Sequence, residues 1–235
     1  VSTHLPKLDF YRSPPHECAY LPARSAGTVF ADPEAVLTVS AYSILSSMGF
    51  RRSGAHVYRP ACATCQACTA VRVPVRGFVP NRQQRRTLQR NQDLLITERP
   101  AQFDEEHFAL YRSYIEARHP GSGMSPTDPE QYLGFLSCSW ADTRFYEFRT
   151  GAELLAVAVV DHLQDALSAV YTFFAPEQAS RSLGRFAVLK QIEWAREARL
   201  NWLYLGYHIA ESRKMRYKAE YRPQQRLLDD AWRDA

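Results

Sequence analysis

The chain has 235 residues, 46% of them hydrophobic and 12% aromatic, enough apolar matter for one large domain or two small ones and too much for a disordered chain. The net charge of +4 is only mildly basic, and no apolar run approaches the ~18–20 residues that a membrane helix needs. Five cysteines are an odd number and the first residues lack the apolar core of a signal peptide, so a soluble cytoplasmic protein with reduced thiols is expected.

In chain order, the first 30 residues carry Pro6, Pro14, Pro15 and Pro22 and read as extended chain anchored by aromatic side chains. A helix is expected to start at Asp32-Pro33, with Asp as N-cap and Pro at the first helical position. Its apolar stripe runs through Leu37, Ala41, Ile44, Leu45 and Met48, and Gly49 supplies the stop. Short strands around Val57 and over 71–75 flank a loop holding Cys62-x-x-Cys65-x-x-Cys68. A second helix over 81–91 places Arg82, Arg85, Arg86 and Gln89 on one face. Pro100 is the expected boundary between an N-terminal domain, 1–99, and a C-terminal one, 100–235.

The second half opens with a helix over 104–118 that turns Phe108, Tyr111, Tyr114 and Ile115 inward. A Gly-, Ser- and Pro-rich loop over 119–129 reads as mobile. Three successive strands, 145–149, 154–161 and 167–174, follow as antiparallel neighbours. A helix over 184–199, with Val188, Leu189, Ile192 and Ala195 inward, leads to a strand at 202–206 and a basic tail at 213–222. The fold class expected is α/β with a mixed sheet.

Four features carry chemistry. Three thiols at x-x spacing in one loop can converge on zinc or an iron–sulfur cluster, with Cys18 as the natural fourth ligand and His56 as the second choice. A turn of small residues with buried free thiols is the plainer alternative, and Cys138 beside Trp140 reads as packing. The guanidinium face of Arg82, Arg85 and Arg86 has few acidic i+4 partners before Asp93, so it reads either as an anion-binding face or as solvated surface. Asp161 ends an apolar strand and is expected to face a cleft or solvent, with Tyr171 on the returning strand. Such a pair can position or deprotonate an amine, unless Asp161 merely forms a turn. Lys214 and Lys218 lie four apart in the basic tail, on one face if helical. The Ser182-Leu-Gly184-Arg turn before the long helix can also offer backbone N–H groups to an anion.

The blocks GFRRSGAHVYRPACATCQACTAVRVPV, FVPNRQQRRTLQRNQDL, LSAVYTFF, RSLGRFAVLKQI, YLGYHI and KMRYKAEYRP resemble, in order, the arginyltransferase family, above all its bacterial aspartate/glutamate leucyltransferase branch. The similarity spans roughly residues 16–225. It implies transfer of leucine from leucyl-tRNA to the N-terminal amine of proteins that begin with Asp or Glu, marking them for degradation by an N-degron pathway. It implies an acyltransferase-like domain of the Gcn5-related N-acetyltransferase type behind an N-terminal cysteine-bearing domain. By analogy with eukaryotic relatives, Cys18, Cys62, Cys65 and Cys68 would hold an iron–sulfur cluster. His208 stands where the family usually has Trp.

An aminoacyl ester is already activated, so aminolysis requires no cofactor. The attacking α-amine, with a pKa of roughly 7.7–8, is partly neutral at cellular pH. Positioning, removal of one proton and stabilisation of the oxyanion remain. The roles expected are Asp161 as proton acceptor, directly or through water, and Tyr171 as a group that orients the nucleophile or donates to the oxyanion. Arg82, Arg85 or Arg86 would take the acidic side chain while Lys214 or Lys218 binds tRNA phosphates, or the reverse. Two other readings stand beside this one: a coenzyme A-dependent acyltransferase, and a non-enzymatic metal-knuckle protein that binds tRNA.

Overall fold

The computed structural model describes residues 8–120 and 128–235, so most of the loop expected to be mobile at 119–129 lies outside the described residues. The elements are β1 (Phe10–Arg12), β2 (His16–Glu17), β3 (Ser25–Ala26), β4 (Thr28–Ala31), α1 (Val39–Ser47), β5 (Arg51–Ser53), β6 (His56–Pro60), β7 (Thr69–Pro74), α2 (Arg82–Arg90), β8 (Leu95–Pro100), α3 (Glu105–Arg118), α4 (Pro129–Leu136), β9 (Asp142–Thr150), β10 (Glu153–His162), β11 (Ala166–Phe174), α5 (Leu183–Glu197), β12 (Trp202–His208), β13 (Gln225–Leu228) and β14 (Ala231–Asp234). No helix of the described residues is long and apolar enough to cross a membrane.

Local chemistry explains the helix boundaries. The Asn81 side chain accepts from the Gln84 amide and the Gln84 side chain accepts from the Asn81 amide, a reciprocal capping box that starts α2. Asp104 caps α3 in the expected place. The two Asp-Pro pairs behave differently. Asp128 caps α4, a helix not anticipated, with Pro129 at its start. Asp32 instead accepts from the Glu34 amide and closes a turn. α1 therefore starts later than expected, where Thr38 Oγ1 accepts from the Ala41 amide, and Gly49 ends it at φ +84°.

Among the described residues the main sheet has eight strands in the order β14-β13-β7-β12-β11-β10-β9-β8, and β11–β12 is its one parallel pair. Strand pairing crosses the expected boundary at Pro100. β7 is inserted between β12 and β13, and β8, whose last residue is Pro100, pairs with β9. A smaller sheet, β1-β4-β6-β5, and the β2–β3 hairpin complete the N-terminal part. The C-terminal β13–β14 hairpin, also not anticipated, turns on Asp229 and Asp230, both at positive φ. It is held by Arg72, whose guanidinium lies 3.6 Å from the Trp202 ring centre and 4.2 Å from that of Trp232.

One face of the main sheet buries Phe186, Ala187, Leu189 and Ile192 of α5 on Val71, Val73, Leu203 and Leu205, with Leu88 of α2 packed against them. The other face carries α3 and α4 through Tyr111, Ile115, Tyr132 and Leu136. Beside them, Tyr42 and Leu45 of α1 pack with Phe50, Val57 and Tyr204. A mixed α/β architecture is thus established, and its parallel pair is the feature that positions the site.

Candidate active site

β11 and β12 pair at Ala166↔Trp202, Leu167↔Leu203 and Ser168↔Tyr204 and then part. Beyond that point β11 stays with β10, while β12 bends through a bulge toward β7. The gap faces β5, which presents Arg51 and Arg52. Successive residues of a strand point to opposite sides, so the two guanidinium groups meet different surroundings.

Arg51 enters the gap. Its Nη2 donates to Ala169 O at 3.0 Å and to Val170 O at 3.2 Å, two carbonyls that the parting strands leave open. Gly206, at φ +74°, makes room: a Cβ there would stand 1.7 Å from Arg51 Nη1. The Arg51 charge is felt by Tyr20, Tyr207, Tyr217 and Lys218. Arg51 has no ion-pair partner among the described residues. Arg52 is the opposite case: its Nε donates to Asp161 Oδ2 at 2.7 Å and its Nη2 to Asp161 Oδ1 at 2.6 Å.

The expected site residues are only partly gathered here. Asp161 was expected in a cleft or solvent, but it is 0% exposed. Besides Arg52 it accepts from the Thr143 hydroxyl at 2.8 Å. With both oxygens engaged, this carboxylate is placed to hold β5. The position differs because β5 and α4 cover the end of β10, which the strand pattern alone does not show. Tyr171 lies opposite Val159 and Asp161 opposite Ser168, so the two are not cross-strand partners. The Tyr171 ring packs on Tyr111, Tyr114 and Phe135, and its buried hydroxyl has no hydrogen-bond partner among the described residues.

Lys214 and Lys218 do not share a face. Lys218 is 4% exposed and turns inward from a 3₁₀ turn, Arg216–Glu220, to donate to Tyr207 O at 2.8 Å. Burial first, and the Arg51 charge second, push its pKa well down. Lys214 is exposed, with Nζ 3.3 Å from His119 Nδ1. Arg82, Arg85 and Arg86 are exposed together on α2, and Arg85 donates to Pro80 O at 2.5 Å. Because α2 rests on α5, that basic surface lies on the sheet face opposite β5.

The cysteines come together as a neighbourhood. Burial lifts the Cys68 thiol to about 11, and Cys62, Cys18 and Cys65 add to the rise. The Leu21 amide points at Cys18 Sγ at 3.4 Å, the Gly27 amide at Cys62 Sγ at 3.5 Å, and Arg24 Nη1 at Cys65 Sγ at 3.4 Å. The donor set suits zinc or an iron–sulfur cluster in kind. Among the described residues, however, no three such side chains stand in a metal-binding arrangement.

Sequence reasoning missed Arg51. The signal was present, since an Arg-Arg doublet after a helix stop, on a short strand, must send one side chain each way.

Comparison with known proteins adds an independent finding. The family described as arginine-tRNA-protein transferase matches through its N-terminal profile over residues 16–86 and its C-terminal profile over 106–228. A protein of Alcanivorax borkumensis named aspartate/glutamate leucyltransferase is 50% identical over 232 residues, 99% of this chain and 96% of its own. One of the same name from Teredinibacter turnerae is 51% identical over 98% of this chain and 95% of its own. Among solved structures, the C-terminal domain of a putative lysylphosphatidylglycerol synthetase from Agrobacterium fabrum aligns with TM-score 0.49 and 13% identity. The alignment covers 71% of this chain and 51% of that one. FemX aligns with TM-score 0.44 and 10% identity over 71% of this chain and 59% of its own. Both likenesses are too loose to carry an argument.

Proposed function

The chain belongs to the arginine-tRNA-protein transferase family, and from that premise we propose that it moves leucine from leucyl-tRNA to the N-terminal amine of proteins beginning with Asp or Glu. The observation that carries this reading is 50% identity, over nearly the whole length, to proteins named for that activity. The product is an N-degron, and the protein works in the cytoplasm.

The reaction is ester aminolysis. A bond forms between the α-amine nitrogen and the leucyl carbonyl carbon, the ester C–O bond breaks, and the terminal ribose hydroxyl leaves with the proton. The ester supplies the driving force, so the protein's tasks are alignment and charge stabilisation. We take the parting of β11 and β12 as the place of reaction and assign the main sheet to the acyltransferase-like type. The aromatic wall of Tyr111, Tyr114 and Tyr171 flanks this place and excludes water. The exposed α2 arginines suit the phosphates of tRNA, which would make binding steeply salt-dependent. Asp161 serves as a strut for β5 and not as the proton acceptor. A coenzyme A reading is disfavoured, because the turn before α5 holds only Ser182-Leu183-Gly184 and lacks the glycine-rich form that cradles a pyrophosphate.

Cys18, Cys62, Cys65 and Cys68 are our candidate ligands for a structural zinc or iron–sulfur group, and no step of the transfer is assigned to it. Elemental analysis with an anaerobic absorption spectrum tests this; protein with neither metal refutes it. The transfer itself is tested with radiolabelled leucyl-tRNA and arginyl-tRNA offered with peptides starting Asp, Glu, Lys or Ala. Label should pass from leucyl-tRNA to the Asp and Glu peptides only. No transfer to either would overturn the reading.

A further inference from the structure

We propose that Arg51 receives the side-chain carboxylate of the acceptor's first residue and thereby selects Asp and Glu over their amides. This inference rests on the leucyl-transfer reading above. It assigns to one residue a selectivity that the sequence pattern had placed on α2 or the basic tail.

Three observations support it. First, Arg51 is a guanidinium without a counter-ion, unlike Arg52 next to it and Arg24 and Arg59 of the same N-terminal part. Arg52 is bound to Asp161, Arg24 to Glu211 and Arg59 to Asp230, whereas Arg51 has no carboxylate within ion-pair distance among the described residues. A half-buried guanidinium that makes hydrogen bonds only to carbonyls keeps its full charge in a poorly screened place, which favours an incoming anion.

Second, the group is aimed. Ala169 O and Val170 O hold Nη2, and Nη1 and Nε keep N–H donors for which the described residues provide no acceptor. Gly206 lies directly under Nη1, and any side chain there would expel it. A merely solvated arginine needs neither feature. Third, Arg51 is only half-buried, and Tyr20 and Tyr217, whose phenols its charge reaches, are both exposed. On this assignment the carboxylate of the entering chain terminus lies on Arg51 and its α-amine at the parting of the strands.

The test compares leucine transfer to matched peptides beginning with Asp and with Asn, using intact leucyl-tRNA, for the wild type and for Arg51→Gln, Arg51→Lys and Gly206→Ala. The wild type should prefer Asp strongly. In Arg51→Gln the kcat/KM ratio of Asp to Asn peptide should fall toward one, through a loss of about 100-fold on the Asp peptide. Arg51→Lys should restore part of the preference. Gly206→Ala, which displaces the guanidinium without removing it, should also flatten the ratio and decides the matter if Arg51→Gln does not fold. Leucyl-tRNA affinity, measured by filter binding, should change less than twofold in each. An unchanged ratio, or equal losses on both peptides, would overturn the assignment. A wild type that transfers leucine to neither peptide would instead remove the transfer reading itself.

Discussion

Arg51 and Arg52 are adjacent and chemically identical, yet one is neutralised in the core and the other is left charged in a gap. Strand alternation separates them, and Asp161 decides which is which. Asp161→Ala leaves Arg52 buried and unpaired, and should destabilise the fold by about 3–5 kcal/mol in urea titrations. The apolar pair Arg52→Met with Asp161→Leu should recover most of that loss. An Asp161→Ala protein as stable as wild type would show that the ion pair does not hold β5. Lys218 gives a prediction of opposite sign. Its folded pKa lies well below its ordinary 10.5, so between the two values the unfolded chain binds one more proton than the native one. Stability therefore rises with pH across that window, by up to about 1.4 kcal/mol per unit. Lys218→Met should remove this slope, as melting temperatures measured stepwise downward from the ordinary lysine value of 10.5 would show. The sequence marked Asp161 and Lys218 as special, but their burial depends on strands and turns packed over them from distant parts of the chain.

Elements with a local signature were readable in advance. α2 and α3 start at the side chains that the residue types indicate, because a cap is a contact within four residues. The three central strands also follow from their apolar runs. β8 and the β13–β14 hairpin were missed, since none of their residues is fully buried and they mark no core. The Asp-Pro pairs show where local rules stop: the same two residues close a turn at 32 and open a helix at 128. For α2, Asn81→Ala should cost about 1 kcal/mol in thermal unfolding. Replacing Arg82, Arg85 and Arg86 together by Ala should leave stability nearly unchanged. The same change should reduce the slope of log affinity for tRNA against log salt by about 2 to 3. An unaltered slope would make that face ordinary surface.

For the molecule as a whole, acid stability hangs on a buried carboxylate on β9. Burial alone would raise the Glu147 pKa, but hydrogen bonds from Arg149 at 2.8 Å and with His107 at 2.8 Å hold it at about 2. Its contribution is complete above the ordinary value of 4.5 and disappears as pH falls from there toward 2. The amount at stake is on the order of 3 kcal/mol. Wild type should thus lose stability more steeply than Glu147→Gln between pH 5 and pH 3, and parallel curves would refute the role.

The placement of β7 bears on how such a protein is made. Its residues, 69–74, find their strand partners at 202–208 and 225–226, so one of its edges stays open until residue 208 and the other until residue 226 has been translated. While the ribosome is still at work, β7 is an open edge that invites mispairing, and the nascent polypeptide needs shielding until the β13–β14 hairpin emerges. Acquisition of activity should accordingly be all-or-none and late, with no competent fragment along the way.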